Sequence, residues 1–192
     1  MMTEQFFKKI KTYTDLSKEA ECAWQNLLKE NTYQKGDNFI RIGQKPKKVA
    51  FVVKGLFSQY YVNDNGETII KYFFPEGRIA GSIPATLQQS ESLFDITALE
   101  ETTVLEYDFN EFKKLVSVYP DISEFYIRYL ERHWVIDKEY YEVSLRSDSA
   151  KVRYADFLRR YPDLVKRLKK HHIAAYLGIT PTQLSRIFSY SK

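Results

Sequence analysis

Between Pro120 and Ser147, side chains that can pack recur at Ile122, Tyr126, Tyr129, His133, Ile136, Tyr140 and Val143, at alternating spacings of 4 and 3 with no proline or glycine after Pro120. This heptad stripe predicts one long helix started by Pro120-Asp121. Its simplest use is packing against the same helix of a second chain in a two-fold homodimer. The other reading is that the stripe covers the chain's own β layer. His133 in the seam reads as a packed, hydrogen-bonded residue and not as a metal ligand. Before residue 110 the pattern changes class. The runs FIRIG, VAFVVKGLFSQYYV, TIIKYFF, LFDITALE and TTVLEYD are β-rich and broken by turns, and six of the seven glycines fall between Gly36 and Gly81. Asn65-Gly66 predicts a hairpin. Alternation along these runs is imperfect, as expected where both faces of a sheet are partly covered. The pattern predicts an α+β chain: an N-terminal antiparallel β jelly roll (1–120), a dimerisation helix (121–148) and a C-terminal helical domain (149–192). A helix capped near Ser17, running through Ala23 and Leu27, precedes the roll.

The C-terminal domain ends in HHIAAYLGITPTQLSRIF, His171 to Phe188. Ile173, Ala174 and Leu177 form one apolar side, and Ala174 is small enough for a second helix to cross closely. Gly178 supplies the left-handed residue that ends the first helix. Ile179 plugs the turn, and Thr180-Pro181 is an N-cap followed by an N1 proline. Leu184, Ile187 and Phe188 give the second helix a buried side, while Thr182, Gln183, Ser185 and Arg186 occupy the other. Short or forked donors and acceptors suit base edges and phosphates better than the Lys and Glu of an ordinary solvated face. The unit reads as a helix-turn-helix, with double-stranded DNA as its partner.

Charge supports that reading. Residues 149–192 carry ten Lys or Arg against two Asp or Glu, a balance of +8, so the first 148 carry 19 against 23, or −4. A basic module appended to a mildly acidic one is the footprint of a polyanion partner. At 192 residues and 44% hydrophobic, the chain can bury one sizeable core and a small second one. The start MMTEQFFKKI lacks the apolar stretch of a secretory signal and no run of 18 apolar residues exists, which predicts a cytoplasmic protein with no membrane partner. Cys22, the only cysteine, reads as core filler, and one thiol makes neither an internal disulfide nor a four-thiolate cluster.

Taken in order, a roll with glycine turns, a long heptad helix and a terminal helix-turn-helix, the chain resembles the Crp/Fnr family of bacterial transcription regulators over essentially its whole length. It is most similar to the Bacteroidetes-type members, which end in a comparable YLGIT-P-x-x-L-S-R-I sequence, here Tyr176 to Ile187. The resemblance implies a cyclic nucleotide-binding-like roll and a roughly palindromic DNA site. It places base and backbone contacts on Thr180, Thr182, Gln183, Ser185 and Arg186, with Arg186 suited to guanine O6 and N7 and Thr180 to a phosphate. Members often carry a β wing before the reading unit. Here RRYPDLVKRLKKHH shows no strand pair, and Lys169, Lys170 and His171 would supply backbone contacts instead. RNA polymerase and an unidentified small-molecule effector remain open as partners.

In members that bind cyclic AMP, a phosphate cassette carries a Gly-Glu pair and, about ten residues on, an Arg-Ser or Arg-Thr pair. Here Ser82 follows Gly81, Ser92-Leu93-Phe94 stands near the expected arginine, and no Lys or Arg occurs between Arg78 and Lys113. A buried cyclic phosphate would lack its charge partner, so micromolar cyclic AMP or cyclic GMP binding is not expected. Any ligand of the roll would meet Gly81, Ser82, Ile83, Ser92 and Phe94, with a short helix expected after Ser82. No cofactor and no metal are expected: the only histidines, His133, His171 and His172, lie in the helical part.

An enzyme of the cupin type needs two or three strand histidines, and none precedes His133. Glu100 and Glu101 are adjacent on a strand and point to opposite faces, so they cannot share one substrate. A non-enzymatic regulator is therefore expected. The alternative is a ligand- or protein-binding sensor module whose helix-turn-helix no longer binds DNA.

Overall fold

The computed structural model describes residues 2–189, with side chains as far as Ile187. The chain opens with two helices, α1 (Met2–Ile10) and α2 (Lys18–Gln25), the second capped by Ser17, whose hydroxyl accepts from the Ala20 N–H. Eight strands follow: β1 (Lys29–Tyr33), β2 (Asn38–Ile40), β3 (Lys48–Lys54), β4 (Phe57–Val62), β5 (Thr68–Phe74), β6 (Ile79–Ala80), β7 (Asp95–Ala98) and β8 (Thr102–Asp108), with the short helix α3 (Ile83–Gln88) between β6 and β7. They form two antiparallel four-stranded sheets, ordered β1-β8-β3-β6 and β2-β7-β4-β5. Sequence reading placed most of these strands but missed α1, β1 and β6. The run VAFVVKGLFSQYYV is cut at Gly55, where φ is +106° and an added Cβ would lie 2.5 Å from the Thr102 side chain. Only glycine fits there.

Two layers of core explain the imperfect alternation. On β3, Ala50 and Val52 face the other sheet beside Phe57, Phe74, Ile96 and Val104. The intervening Val49, Phe51 and Val53 face outward onto Phe6, Trp24, Phe112 and Phe125 of the helices. Both sides of the strand are buried, so every residue from Val49 to Val53 is apolar. Cys22 is exposed, which corrects its reading as core filler: α2 turns Ala20 and Trp24 inward instead.

After α4 (Phe109–Val118) comes the long helix, and it has three parts: α5 (Pro120–Leu130), a π-helical turn (Glu131–Ile136) and α6 (Asp137–Ser147). This corrects the single heptad seam. Ile122, Tyr126, Tyr129 and His133 pack on the chain's own roll and N-terminal segment, with Ile122 fully buried. Ile136, Tyr140 and Val143 are exposed, and Tyr140 lies under the Arg160 guanidinium at 3.7 Å. The π turn adds a residue to the helical repeat and rotates the later part, so one stripe does not stay on one face. The face turned to solvent instead carries Ile127, Val135, Ile136 and Val143.

Four helices complete the chain: α7 (Ala150–Arg160), α8 (Pro162–Arg167), α9 (Lys170–Leu177) and α10 (Pro181–Ser189). α8 occupies the interval where a wing would stand. The core of this unit is not its own, because Phe157, Leu164, Ile173, Leu177 and Leu184 form one cluster with Leu56 of the β3–β4 turn and Ile70 and Phe73 of β5. Arg167 fastens the contact. Its guanidinium donates to Glu76 in a bidentate pair (2.9 and 3.0 Å) and also to Glu100. Burial would raise the Glu76 pKa, but the bonds from Arg167 and from the Gly55 N–H outweigh it and lower the value. No helix among the described residues is long and apolar enough to cross a membrane.

Candidate nucleic-acid interface

Helices α9 and α10 meet at a tight turn whose chemistry is local. Gly178 ends α9 in the left-handed conformation (φ +65°, ψ +38°), and its N–H and that of Ile179 both return to the Ala174 carbonyl. Thr180 starts α10 through a reciprocal cap. The Gln183 N–H donates to Thr180 Oγ1 (3.2 Å), and the Thr180 N–H donates to Gln183 Oε1 (2.9 Å). This capping box follows from the T-x-x-Q spacing, a signal the sequence reading passed over. Leu184, fully buried, and Ala174, also fully buried, hold the two helices together.

Thr182, Gln183, Ser185 and Arg186 are exposed on α10, and Arg186 makes no ion pair among the described residues. The expected burial of Phe188 concerns a side chain outside the described residues. The box narrows what two of these residues can do. Gln183 spends its carbonyl oxygen on the cap, so a bidentate contact to adenine, which needs both ends of the amide, is closed to it while the cap holds. Its NH2 group remains. Thr180, likewise tied up by its hydroxyl, has less to offer a phosphate than the backbone of the turn it starts.

Lys169, Lys170 and His171 lie exposed at the N-terminal end of α9. His172 next to them is half-buried with its Nδ1 unpaired, and burial, His171, Lys169 and Lys35 push its pKa down to about 4. Elsewhere the basic footprint is smaller than the composition suggested. Arg167 is spent on Glu76 and Glu100, and both Arg159 and Arg160 pair with Asp156 (2.5 and 2.7 Å). Nothing in the local sequence foretold the Arg167 contact, since its acids lie 91 and 67 residues away.

The five residues named for a roll ligand do not converge on one pocket, which corrects that grouping. Ser82 and Ser92 are both buried, and their hydroxyls bond to each other at 3.0 Å. Ser92 also donates to the Phe94 carbonyl (2.8 Å). Gly81 presses on Val49, whose methyl would lie 2.9 Å from an added Cβ. Ile83 packs outward into the helix-covered core, and Phe94 carries the Lys71 ammonium 4.5 Å above its ring. The short helix expected after Ser82 is α3. Arg78, the last cation before this stretch, turns away to His133 Nδ1 (2.7 Å), the Tyr72 hydroxyl and Asp137 (3.7 Å).

His133 is 7% exposed and fully engaged. Its Nδ1 lies within hydrogen-bond distance of both Arg78 Nη1 (2.7 Å) and Asp137 Oδ2 (2.9 Å), and its Nε2 within that of the Tyr13 hydroxyl (2.7 Å). Burial and the Arg78 charge push its pKa down to about 4, against the opposing pull of Asp137. No group of three or more His, Cys, Asp or Glu is placed to hold a metal ion among the described residues.

Residues 30–119 match the cyclic nucleotide-binding domain family. Among solved structures, FixK2 from Bradyrhizobium japonicum is 18% identical with a TM-score of 0.71, over 85% of this chain and 84% of that one. The c-di-GMP responsive global regulator CLP from Xanthomonas campestris is 12% identical with a TM-score of 0.72, over 91% of both chains. A transcriptional regulator of the Crp/Fnr family from Eubacterium rectale is 16% identical with a TM-score of 0.70, over 93% and 84%. No curated protein sequence matches. Two sheets, a long helix and a terminal helical unit thus define the class of fold, the one these solved structures share. The chain has the Crp/Fnr regulatory fold, with a cyclic nucleotide-binding-like N-terminal domain and a C-terminal helical domain.

Proposed function

We propose that the protein is a homodimeric, sequence-specific DNA-binding transcription regulator that works without cyclic AMP. The observation that carries the reading is the exposed face of α10: Thr182, Ser185 and an Arg186 with no ion pair among the described residues, on a helix whose start is locked by its own capping box. Arg186 is assigned to guanine, its fork matching O6 and N7, with Thr182 and Ser185 on neighbouring edges. Lys169, Lys170 and His171 gather positive charge where the α9 dipole already favours an anion, so a backbone phosphate is their complement. The solvent-facing stripe Ile127, Val135, Ile136 and Val143 is assigned to the dimer contact, and two copies of α10 would then read successive major grooves of a near-palindrome. Independence from cyclic AMP rests on the Ser82–Ser92 bond, which takes the place of a charged phosphate clamp.

Fluorescence anisotropy against genomic fragments tests this. Arg186→Ala is expected to weaken specific binding by about 1–3 kcal/mol and relax the preference at one base pair. Salt-insensitive binding, or none at low salt, would favour a sensor module whose helix-turn-helix docks a protein.

A further inference from the structure

Away from the serine-closed stretch, a second space opens where the roll, the long helix and the C-terminal unit meet. Its volume is about 350 Å³, within the range that small-molecule ligands occupy, roughly 300–1,000 Å³. The walls are aromatic and come from all three parts: Tyr72 from β5, Trp134 and Tyr141 from the long helix, and Phe157, Tyr161 and Tyr176 from the C-terminal unit. Several of these rings already touch, Tyr141 and Tyr176 with centroids 5.1 Å apart and Phe157 and Tyr176 at 5.3 Å. Flat surfaces of this kind accept another ring.

Three polar or charged residues stand on the same wall. Gln59, 2% exposed, lines this space, and a carboxamide can both donate and accept a hydrogen bond. Lys71 is half-buried and makes no ion pair among the described residues; its ammonium lies 4.5 Å above the Phe94 ring, with Glu142 near enough to act on its charge. Burial and the neighbouring Lys138 lower its pKa. Arg153 gives three of its five N–H groups to the carbonyls of Leu177 (3.1 and 3.2 Å) and Asp148 (2.7 Å), which do not neutralise its charge. The acids nearby are committed elsewhere: Asp156 to Arg159 and Arg160, Asp137 to Arg78 and His133, Glu142 to Lys138. The wall is therefore short of negative charge.

We infer that this cavity binds a small planar aromatic carboxylic acid, with its carboxylate on Lys71, its rings among Tyr72, Trp134 and Tyr176, and a further hydrogen bond to Gln59. The inference does not depend on what α10 reads. Because the ligand would touch the roll, the long helix and the C-terminal unit at once, it would also set their relative orientation.

The full-length protein can be titrated with 2-naphthoate and with its neutral counterpart 2-naphthylmethanol, by calorimetry and tryptophan fluorescence. Trp134 is on the wall and Trp24 is fully buried in the roll core, so the quenching should come from Trp134 and vanish in Trp134→Phe. Naphthoate is expected to bind once per chain, and Lys71→Met to weaken it by at least about tenfold, the worth of one charge-assisted hydrogen bond. The alcohol should bind about tenfold more weakly than the acid and be indifferent to Lys71→Met. Circular dichroism confirms that each variant is folded. The inference is overturned if naphthoate gives no heat at millimolar concentration, if acid and alcohol bind alike, if Lys71→Met leaves affinity unchanged, or if Ser92→Ala abolishes binding and so moves the ligand into the roll.

Discussion

The two ends of the long helix look alike in sequence and live in different surroundings. In α5, Ile122, Phe125 and Tyr129 are buried, and Phe125 packs its ring on Trp24 (5.1 Å) and Tyr13 (5.6 Å). In α6 the buried residue is Ser144, while Tyr140, Val143 and Leu145 are exposed. The first half is part of the roll's core, and the second leaves apolar side chains uncovered. What separates them is the π turn at Glu131–Ile136, where His133 is clamped between Tyr13 and Arg78. One extra residue turns the following face by about 100°. A stripe with an unbroken sequence period can therefore serve two destinations.

The strongest way to break this comparison is Phe125→Ala. Removing a 1%-exposed ring from the aromatic cluster is expected to cost about 3–5 kcal/mol, the same at any protein concentration, as read by urea denaturation. A loss that shrinks as the protein is concentrated would mean that α5 is held by a second chain.

Next comes acid, which probes the clamp. The folded His133 pKa is about 4 against 6.5 unfolded, so between those values the unfolded chain holds a proton that the folded chain refuses. The stability is fully present above pH 6.5 and drains away as the pH falls toward 4, by up to about 3 kcal/mol. His172 titrates in the same window for a similar reason. His133→Gln should remove the share due to His133 and flatten the profile, and an unchanged slope would show that the imidazole is not held neutral.

The smallest effect on folding, and the sharpest on assembly, is expected from Val135→Lys with Ile136→Lys. Both residues are more than half exposed, so unfolding measured at low concentration should shift by no more than about 0.5 kcal/mol, while sedimentation should change from dimer to monomer. A dimer that survives would place the contact elsewhere.

Local chemistry was legible wherever a short segment decides its own geometry. Gly178, Thr180 and Pro181 specify the end of one helix and the start of the next within four residues, and the turn stands where those residues put it. Ser17 caps α2 for the same reason. The reading of Ser82 was half right. A short helix does start there, but only the fold brings Ser92 across to bond its hydroxyl. Gln183 carries its capping signal in the spacing of three residues after Thr180, and the cap it makes takes the carbonyl oxygen that a bidentate base contact would need.

By itself, then, the sequence determined the two-sheet roll, the long helix and the turn between the last two helices, because hydrophobic period, glycine positions and capping residues act over a few residues each. Only the tertiary structure decided which face of the long helix is left uncovered, which arginines are already neutralised, and where an aromatic space is left unfilled. Those outcomes depend on groups such as Glu76 and Arg167, or Lys71 and Tyr176, whose meeting is set by the packing of whole elements. Such packing leaves no periodic mark in the chain.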